Sequence, residues 1–343
     1  MWAPRSVTSE VLVIPEAKKD VVVRALEEAF GVSEFEDIKK LTAGLSSALV
    51  FRIVVKGRPY LLRVIVSTEA MHNPTRQFAC MKAAAEAGLA PRIWYANVDD
   101  RISITDFVQA RPFPLCDALT RAPATVRAVH ALAPFLKLVN YVESMDGFVK
   151  KFRDAKILPE SETEEVFRQY ARVSSVYPRH GTEDLVSSHN DLKPENVLFD
   201  GTRVWLVDWE AAFLNDRYLD LAVVANFVVT NDRDEEIFLR TYFEEAPGEY
   251  RLARFYLMRQ VVHMAYTAVF FLIGSGGRPV ESQPDVPGFR ELHDQMWAGE
   301  FSLASSEAKL QYARVHMSQF SQDVRTRRFE DAIQAVAKRH AST

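Results

Sequence analysis

The residues with the clearest chemistry lie between Ser188 and Glu210. Asp191 is followed five positions later by Asn196, and Asp208 stands at the end of the apolar, β-rich run Arg203-Val-Trp-Leu-Val207. Phosphoryl transfer needs a carboxylate near the acceptor hydroxyl, an amide oxygen that binds Mg²⁺, and a second metal carboxylate on the next strand. Asp200-Gly201 is a turn signal between Val197-Leu-Phe199 and that run. The segment therefore reads as a short hairpin with Asn196 near its entry and Asp208 at its exit. A lone Asp-x-x-x-x-Asn has little specificity; loop, hairpin and trailing helix together have much more.

Other elements must position these groups. Leu49 to Val55 and Tyr60 to Val66 read as strands turned by Lys56-Gly-Arg-Pro59, and Leu41-Thr-Ala-Gly-Leu-Ser-Ser47 precedes them. In that loop Gly44, Ser46 and Ser47 offer N–H groups and hydroxyls to phosphates, although the same residues also suit an ordinary hairpin loop. Asn73 as N-cap, Pro74 at the first helical position and Gly88 at the stop predict a helix over about 74–87. Arg92 to Ala96 and Arg101 to Thr105 read as two more strands joined by Asn97-Val-Asp-Asp100.

From Arg111 onward the pattern is mostly helical, with helices expected near 124–140, 143–154, 218–230, 234–245, 249–273, 305–320 and 326–339. A capping box, Ser161-Glu-Thr-Glu164, is expected to open another helix ending near Val173. The run Gly274-Ser-Gly-Gly-Arg-Pro279 lacks the Lys-Ser/Thr of a Walker A loop and reads as a connector.

Ser188-His-Asn-Asp-Leu-Lys-Pro-Glu-Asn196, Asp208-Trp-Glu210 and the continuation to Leu219-Asp-Leu-Ala222 resemble the aminoglycoside phosphotransferase and choline kinase superfamily. The likeness is greatest to its bacterial choline/ethanolamine kinase branch. His-Asn-Asp in place of His-Arg-Asp, and Asp-Trp-Glu in place of Asp-Phe-Gly, separate it from ordinary protein kinases. The resemblance implies an α+β, protein-kinase-like bilobal fold. Its N-terminal lobe, about 1–106, would hold an antiparallel sheet and one key helix; a hinge would span 107–112 and a larger helical lobe 113–343. It implies ATP and Mg²⁺ as cofactors and a small-molecule alcohol as acceptor.

Roles follow from the same resemblance. Asp191 would be the base, Asn196 and Asp208 the metal ligands, and Arg63 the cation on the α- and β-phosphates. Gln77 occupies the position of the Glu that usually holds that cation, and its neutral amide is a weaker partner than a carboxylate. Glu69 or Glu86 could take the role instead. Phe107 and Val108 fall in the segment whose backbone would bind adenine. His189 reads as a structural histidine bonded to the loop backbone, and Asp220 as a cap or loop support. Lys193 reads either as a γ-phosphate contact or as a solvated charge; Asp216 receives no role.

Composition narrows the partners. The chain has 343 residues, 48% of them hydrophobic, and a formal charge of −4. That is enough for a large core and shows no basic footprint for nucleic acid. Cys80 and Cys116 are the only cysteines and lack metal-ligand spacing, which with the absence of a signal-peptide pattern leads to an expected cytoplasmic location. The apolar run Val261 to Gly274 reads as a buried helix, so no membrane partner is expected.

For the acceptor, Glu210 and Trp209 follow the metal carboxylate, and Tyr256, Tyr266, Phe270 and Trp297 could add aromatic walls for a quaternary or primary ammonium. The acids Asp232, Asp234, Glu235, Glu236, Glu244 and Glu245 would instead suit a polycationic aminoglycoside, or be a solvated helix face. An amino alcohol such as choline or ethanolamine is the expected acceptor. The alternatives are an aminoglycoside and, from a different class, a nucleotide-binding pseudokinase that serves as a scaffold.

Overall fold

The computed structural model describes residues 14–41, 48–67, 73–179, 181–283 and 285–340. The chain divides into two compact units after Gln109. In the first, β1 (Asp37–Leu41), β2 (Ala48–Val55), β3 (Arg58–Ile65), β4 (Ile93–Asn97) and β5 (Ile102–Asp106) form an antiparallel sheet in the order β1-β2-β3-β5-β4. Strand alternation sorts β3. Tyr60, Leu62 and Val64 join Phe51, Ile53, Ile102 and Ile104 in a core closed by Val22, Ala25 and Leu26 of α1 (Lys19–Phe30). Arg63, between Leu62 and Val64, is thereby placed on the opposite sheet face.

Helix α2 (Pro74–Glu86) has the predicted ends. Asn73 Oδ1 accepts the Thr75 N–H at 2.9 Å, Pro74 opens the first turn, and Gly88 takes φ +73° while Leu89 N–H returns to the Ala84 carbonyl. Cys80 is packed mid-helix, where burial pushes its thiol up to about 11, so it is inert rather than reactive.

The second unit is built around α8 (Glu249–Ser275). This helix is long and apolar enough by length and composition to cross a membrane, yet 67% of its apolar window is buried within the protein. Against it pack α4 (Tyr141–Asp154), α5 (Glu160–Val176), α6 (Arg217–Val228), α10 (Ser306–Asp323) and α11 (Arg327–His340). It is a core helix. The remaining helices are α3 (Leu115–His130), α7 (Asp232–Phe243) and α9 (Phe289–Ala298). Two small antiparallel ladders, β6 (Leu185–Ser188) with β9 (Phe213–Asp216) and β7 (Val197–Phe199) with β8 (Val204–Leu206), hold the loop that carries Asp191.

Several elements differ from expectation. Helix α3 begins at Leu115 and ends at His130, so 131–140 is not helical and Pro123 lies inside the helix. Burial of Ala118, Ala122 and Val126 along one face stabilises this helix despite the proline. The Ser161 capping box is not used: α5 starts at Glu160 after Pro159, which places Ser161 and Glu164 within its first turns. Helix α9 and the β6–β9 pair had no sequence expectation.

Candidate active site

In the second unit the loop after β6 is fixed from three sides. His189, fully buried, donates through Nε2 to the Val207 carbonyl at 3.0 Å, one residue before Asp208. Its indole neighbour Trp209 lies 4.7 Å away, ring to ring. Asn190 has φ +66°, a left-handed conformation that Asn tolerates better than most side chains. Its amide is fully engaged: Nδ2 donates to the Ala211 carbonyl at 2.9 Å, and Oδ1 accepts from Asn215 Nδ2 at 2.8 Å. Below, Asp220 accepts the N–H groups of His189 at 2.8 Å and Asn190 at 2.7 Å. His189 and Asp220 thus have the loop-supporting roles expected of them.

Asp191 follows immediately. Asn196 Nδ2 donates to its carbonyl at 2.8 Å and to its Oδ2 at 2.9 Å, which fixes the amide and turns Asn196 Oδ1 the other way. Val207 N–H donates to the Asn196 carbonyl at 3.1 Å, tying the loop to the strand that ends at Asp208. Asp208 itself is left-handed at φ +65°. Lys193 Nζ is 2.9 Å from Asp191 Oδ2. Burial works against its charge, but Asp191, Asp208 and Glu195 outweigh burial and raise its pKa, so it is a paired cation rather than a solvated one. Asp191, Asp208 and Lys193 therefore share one locality.

The hairpin is as expected. Gly201 takes φ +103° in its turn, and Asp200 accepts from Thr202 N–H, Arg203 N–H and Trp205 Nε1. Those bonds, that of Trp205 first, hold the Asp200 carboxyl far below the usual range.

Trp209 is not an acceptor wall. Its indole is 1% exposed, donates to the Leu206 carbonyl at 3.2 Å and meets Phe135 edge-on, so it is a core side chain under the loop. Glu210 is half-buried in the turn 209–211 that follows Asp208. Of the other aromatic candidates, Tyr256 is buried and bonded to the Asp323 carbonyl, Phe270 is buried, and Trp297 donates to the Phe113 carbonyl. Tyr266 is half-buried, and the charge of Asp191 acts on its phenol.

Sequence reasoning missed its two companions, Tyr141 and Tyr312. Burial, and after it the negative charge of Asp191, pushes up the Tyr141 phenol. Tyr266 responds to burial, then to Tyr312, Tyr141 and Asp191; Tyr312 to burial, then to Glu195 and Asp191. Tyr266 and Tyr312 rings are 5.7 Å apart. Phenols from α4, α8 and α10 thus all feel the charge of the catalytic loop's carboxylate; Tyr141 and Tyr266 are half-buried and Tyr312 is buried. No sequence signal joins them, since they come from three helices far apart in the chain.

The first unit holds the remaining candidates. Arg63 is 7% exposed on β3 opposite Ser103, and Gln77 is 4% exposed on α2. Glu86 does not replace Gln77: it pairs with Lys82 at 3.9 Å on the solvent side of α2. Gly44, Ser46, Ser47 and Glu69 lie outside the described residues. Phe107 and Val108 are half-buried after β5, with Arg52 over the Phe107 ring at 5.7 Å.

An antiparallel five-stranded unit followed by a helical unit, with an Asp-x-x-x-x-Asn loop and a hairpin ending in Asp, defines a kinase-like phosphotransferase fold. The profile of the phosphotransferase enzyme family (APH) matches residues 37–256, and the chain belongs to that family. That family is one of phosphotransferase enzymes.

Among solved structures, a choline/ethanolamine kinase family protein from Mesorhizobium loti is similar with a TM-score of 0.65 and 19% identity, over 94% of this chain and 99% of that one. Choline kinase LicA from Streptococcus pneumoniae follows at 0.57 and 15%, over 88% and 99%. A spectinomycin phosphotransferase in complex with ADP and spectinomycin has a TM-score of 0.55 and 12% identity, over 86% and 98%. These likenesses show the protein-kinase-like fold. In sequence, Protein LicA of Haemophilus influenzae is 37% identical over 54 residues, which is 16% of this chain and 20% of that protein.

Proposed function

We propose that this protein transfers the γ-phosphoryl group of Mg-ATP to the hydroxyl of a small amino alcohol of the choline or ethanolamine kind. The observation that carries the reading is the pair of half-buried phenols Tyr141 and Tyr266, on both of which the Asp191 charge acts, with the buried ring of Tyr312 packed 5.7 Å from Tyr266. Aromatic faces attract an organic ammonium by about 0.5–2 kcal/mol. A carboxylate nearby adds to that attraction and accepts the hydroxyl proton.

The acids that would suit an aminoglycoside are otherwise engaged. Glu235 is buried with Arg328 and Arg259, Glu236 pairs with Arg240, Glu244 with Arg127 and Glu245 with Arg251. Asp234 accepts from Thr230 and Asn231 at the start of α7. Four of the six acids are thus paired with arginines, which leaves exposed Asp232 and half-buried Asp234 as the less compensated charges there.

The donor set fits Mg²⁺. Asn196 Oδ1 and the Asp208 carboxylate are hard oxygen ligands, and Mg²⁺ takes few protein ligands when phosphates complete its shell. When bound, the ion would neutralise charge on the transferring phosphoryl group. Asp191 orients the acceptor hydroxyl and takes its proton, held in place by Asn196 and by the clamped loop. Lys193, already paired with Asp191, offsets local negative charge beside the γ-phosphate. Arg63 in the first unit would hold the α- and β-phosphates.

The test is acceptor-stimulated ADP release from Mg-ATP across choline, ethanolamine, other small alcohols and several aminoglycosides, with Asp191→Asn as the blank. Stimulation by amino alcohols, and a loss of about 10²–10⁴-fold in kcat in Asp191→Asn with nucleotide still bound, is the expected result. Stimulation by aminoglycosides alone would transfer the reading to that class. Mg²⁺-dependent ATP binding with no acceptor phosphorylated would make the protein a nucleotide-binding scaffold.

A further inference from the structure

Behind Tyr266, side chains from two helices close into a ring. His263 and Tyr266 stand one turn apart on α8, and Tyr312 and His316 one turn apart on α10. Across the interface His263 Nδ1 and His316 Nδ1 meet at 2.9 Å. The His316 imidazole then reaches back to α8, its centroid 5.0 Å from that of Tyr266 at an interplanar angle of 82°. It also packs on Tyr312, 4.4 Å away at 72°. Both are edge-to-face arrangements, which aromatic pairs prefer to a stacked sandwich. His263, His316 and Tyr312 are buried, whereas Tyr266 is only half-buried.

The proton inventory decides which histidine donates. Burial holds both imidazoles uncharged, so each ring carries one N–H. A contact between two Nδ1 atoms needs that proton on one side only. Asp323 Oδ2 lies 3.8 Å from His263 Nε2 and favours a proton there. His263 is then the acceptor at Nδ1, and His316 is the donor. The bond keeps the His316 ring from turning, and the ring in turn closes one side of Tyr266. The other ring partners of Tyr266 are Phe270 at 5.9 Å and Tyr312 at 5.7 Å, so the imidazole is the nearest of the three.

We propose that His316, pinned by His263, is the positioning residue of the acceptor wall: it fixes the ring of Tyr266 where the organic ammonium meets it. A side chain already ordered spares the ligand the cost of ordering it. An uncharged imidazole suits the task, because a cation behind the phenol would oppose the ammonium in front of it. A group that acts only through this wall changes acceptor binding and leaves the transfer step alone. The proposal rests on the amino-alcohol reading, and its test therefore has an arm that needs no acceptor.

The variants are His316→Leu, His263→Leu and His263→Asn in the full chain. Asn at 263 keeps an oxygen to accept the His316 N–H; Leu keeps only bulk. The assay reads the KM for choline or ethanolamine, the KM for Mg-ATP, and inhibition by tetramethylammonium, a cation with no hydroxyl to phosphorylate. In His316→Leu the amino-alcohol KM and the tetramethylammonium Ki should rise together by about twofold to tenfold, the factor for ordering one freed side chain. The kcat and the KM for Mg-ATP should stay within about twofold of wild type. His263→Leu should give a smaller rise of the same kind, and His263→Asn should restore most of the affinity.

The second arm reads the ring itself. In protein labelled with ¹³C in its tyrosine rings, the Tyr266 signal is identified by its loss in Tyr266→Phe. That signal should move in His316→Leu and in His263→Leu and return toward wild type in His263→Asn. The signal of Tyr170 on α5 should stay in place.

A Tyr266 signal unmoved in His316→Leu would overturn the proposal. So would a fall in kcat, or a raised KM for Mg-ATP, in place of the rise in acceptor KM. A His263→Asn variant as impaired as His263→Leu would show that packing rather than the bond fixes the ring, and would overturn the pinning. Silence of choline and ethanolamine with the wild-type protein would remove the amino-alcohol reading itself, and the tyrosine signals would then decide the bracing of Tyr266 separately. If His316→Leu does not fold, the two His263 variants carry the same measurements.

Discussion

The catalytic loop and the α8–α9–α10 cluster are both buried, polar and close to Asp191's field, yet they are built on opposite plans. In the loop every buried polar side chain has a dedicated partner: His189 with Val207, Asn190 with Ala211 and Asn215, Asn196 with Asp191, Asp220 with two amides and His130. In the cluster His263, His293 and His316 are 0% exposed and touch mainly rings. His316 lies 4.4 Å from Tyr312 and 5.0 Å from Tyr266, and His293 lies 4.0 Å from Phe289. The Nε2 atoms of these three histidines have no hydrogen-bond partner among the described residues. Hydrogen bonds of fixed direction dominate the first region; in the second each histidine makes one bond through Nδ1, His263 with His316 at 2.9 Å and His293 with the Phe289 carbonyl at 2.8 Å, and rings pack around the rest. Chemistry that needs sub-ångström placement belongs on the first plan; recognition of an apolar cation belongs on the second.

Trp209 gives the sharpest break between them, because it sits in the loop region and yet was expected at the acceptor. As a fully buried core indole, Trp209→Ala should cost about 3–5 kcal/mol in urea unfolding. Trp209→Phe should lose less and leave the acceptor KM unchanged at temperatures where it is folded. An acceptor KM raised severalfold in the Phe variant, with stability intact, would return Trp209 to the acceptor site.

The histidine cluster gives the next largest effect. Burial holds His263 and His316 well below the usual histidine range and His293 down to about 3. A histidine whose folded pKa is depressed binds its proton more readily when unfolded. The protein therefore keeps its full stability above about pH 6.5 and loses it as pH falls from there toward 3. Each of the three contributes up to about 1.4 kcal/mol per pH unit in that window. Unfolding free energies at pH 7.5 and 5.5 should differ accordingly, and His293→Phe should reduce the difference. Equal pH dependence in wild type and His293→Phe would show that the ring is not held neutral.

The same contrast explains what could be read from sequence. Asp191, Asn196 and Asp208 were legible because directional bonds require particular residue types at particular spacings. The caps of α2 were legible for the same reason: Asn73, Pro74 and Gly88 each meet a local backbone need. Asp216 was not legible, since its two roles join distant parts of the chain. It accepts the Tyr218 N–H at the start of α6, and it pairs with buried Arg254 of α8 at 2.6 Å. Ser161-Glu-Thr-Glu164 misled because the capping box is a local pattern, and the helix starts two residues earlier, after Pro159. Tyr141 and Tyr312 carry no pattern beyond helical spacing; only the packing of α4 and α10 against α8 places their phenols where the Asp191 charge acts on them.

The smallest effect tests the second plan directly. Tyr266 is half-buried, lies beside Tyr312 and feels Asp191, so its ring face is the part an ammonium would meet. Tyr266→Leu keeps apolar bulk but removes the π face, which should raise the acceptor KM by the equivalent of about 0.5–2 kcal/mol, roughly twofold to thirtyfold. A contact made equally in the bound and transition states changes KM and leaves kcat near wild type. Tyr266→Phe retains the face and should retain the KM. If Phe is as poor as Leu, the hydroxyl rather than the ring is the contact. A fall in kcat at constant KM in either variant would assign Tyr266 to the placement of Asp191, moving it from the packed region into the hydrogen-bonded one.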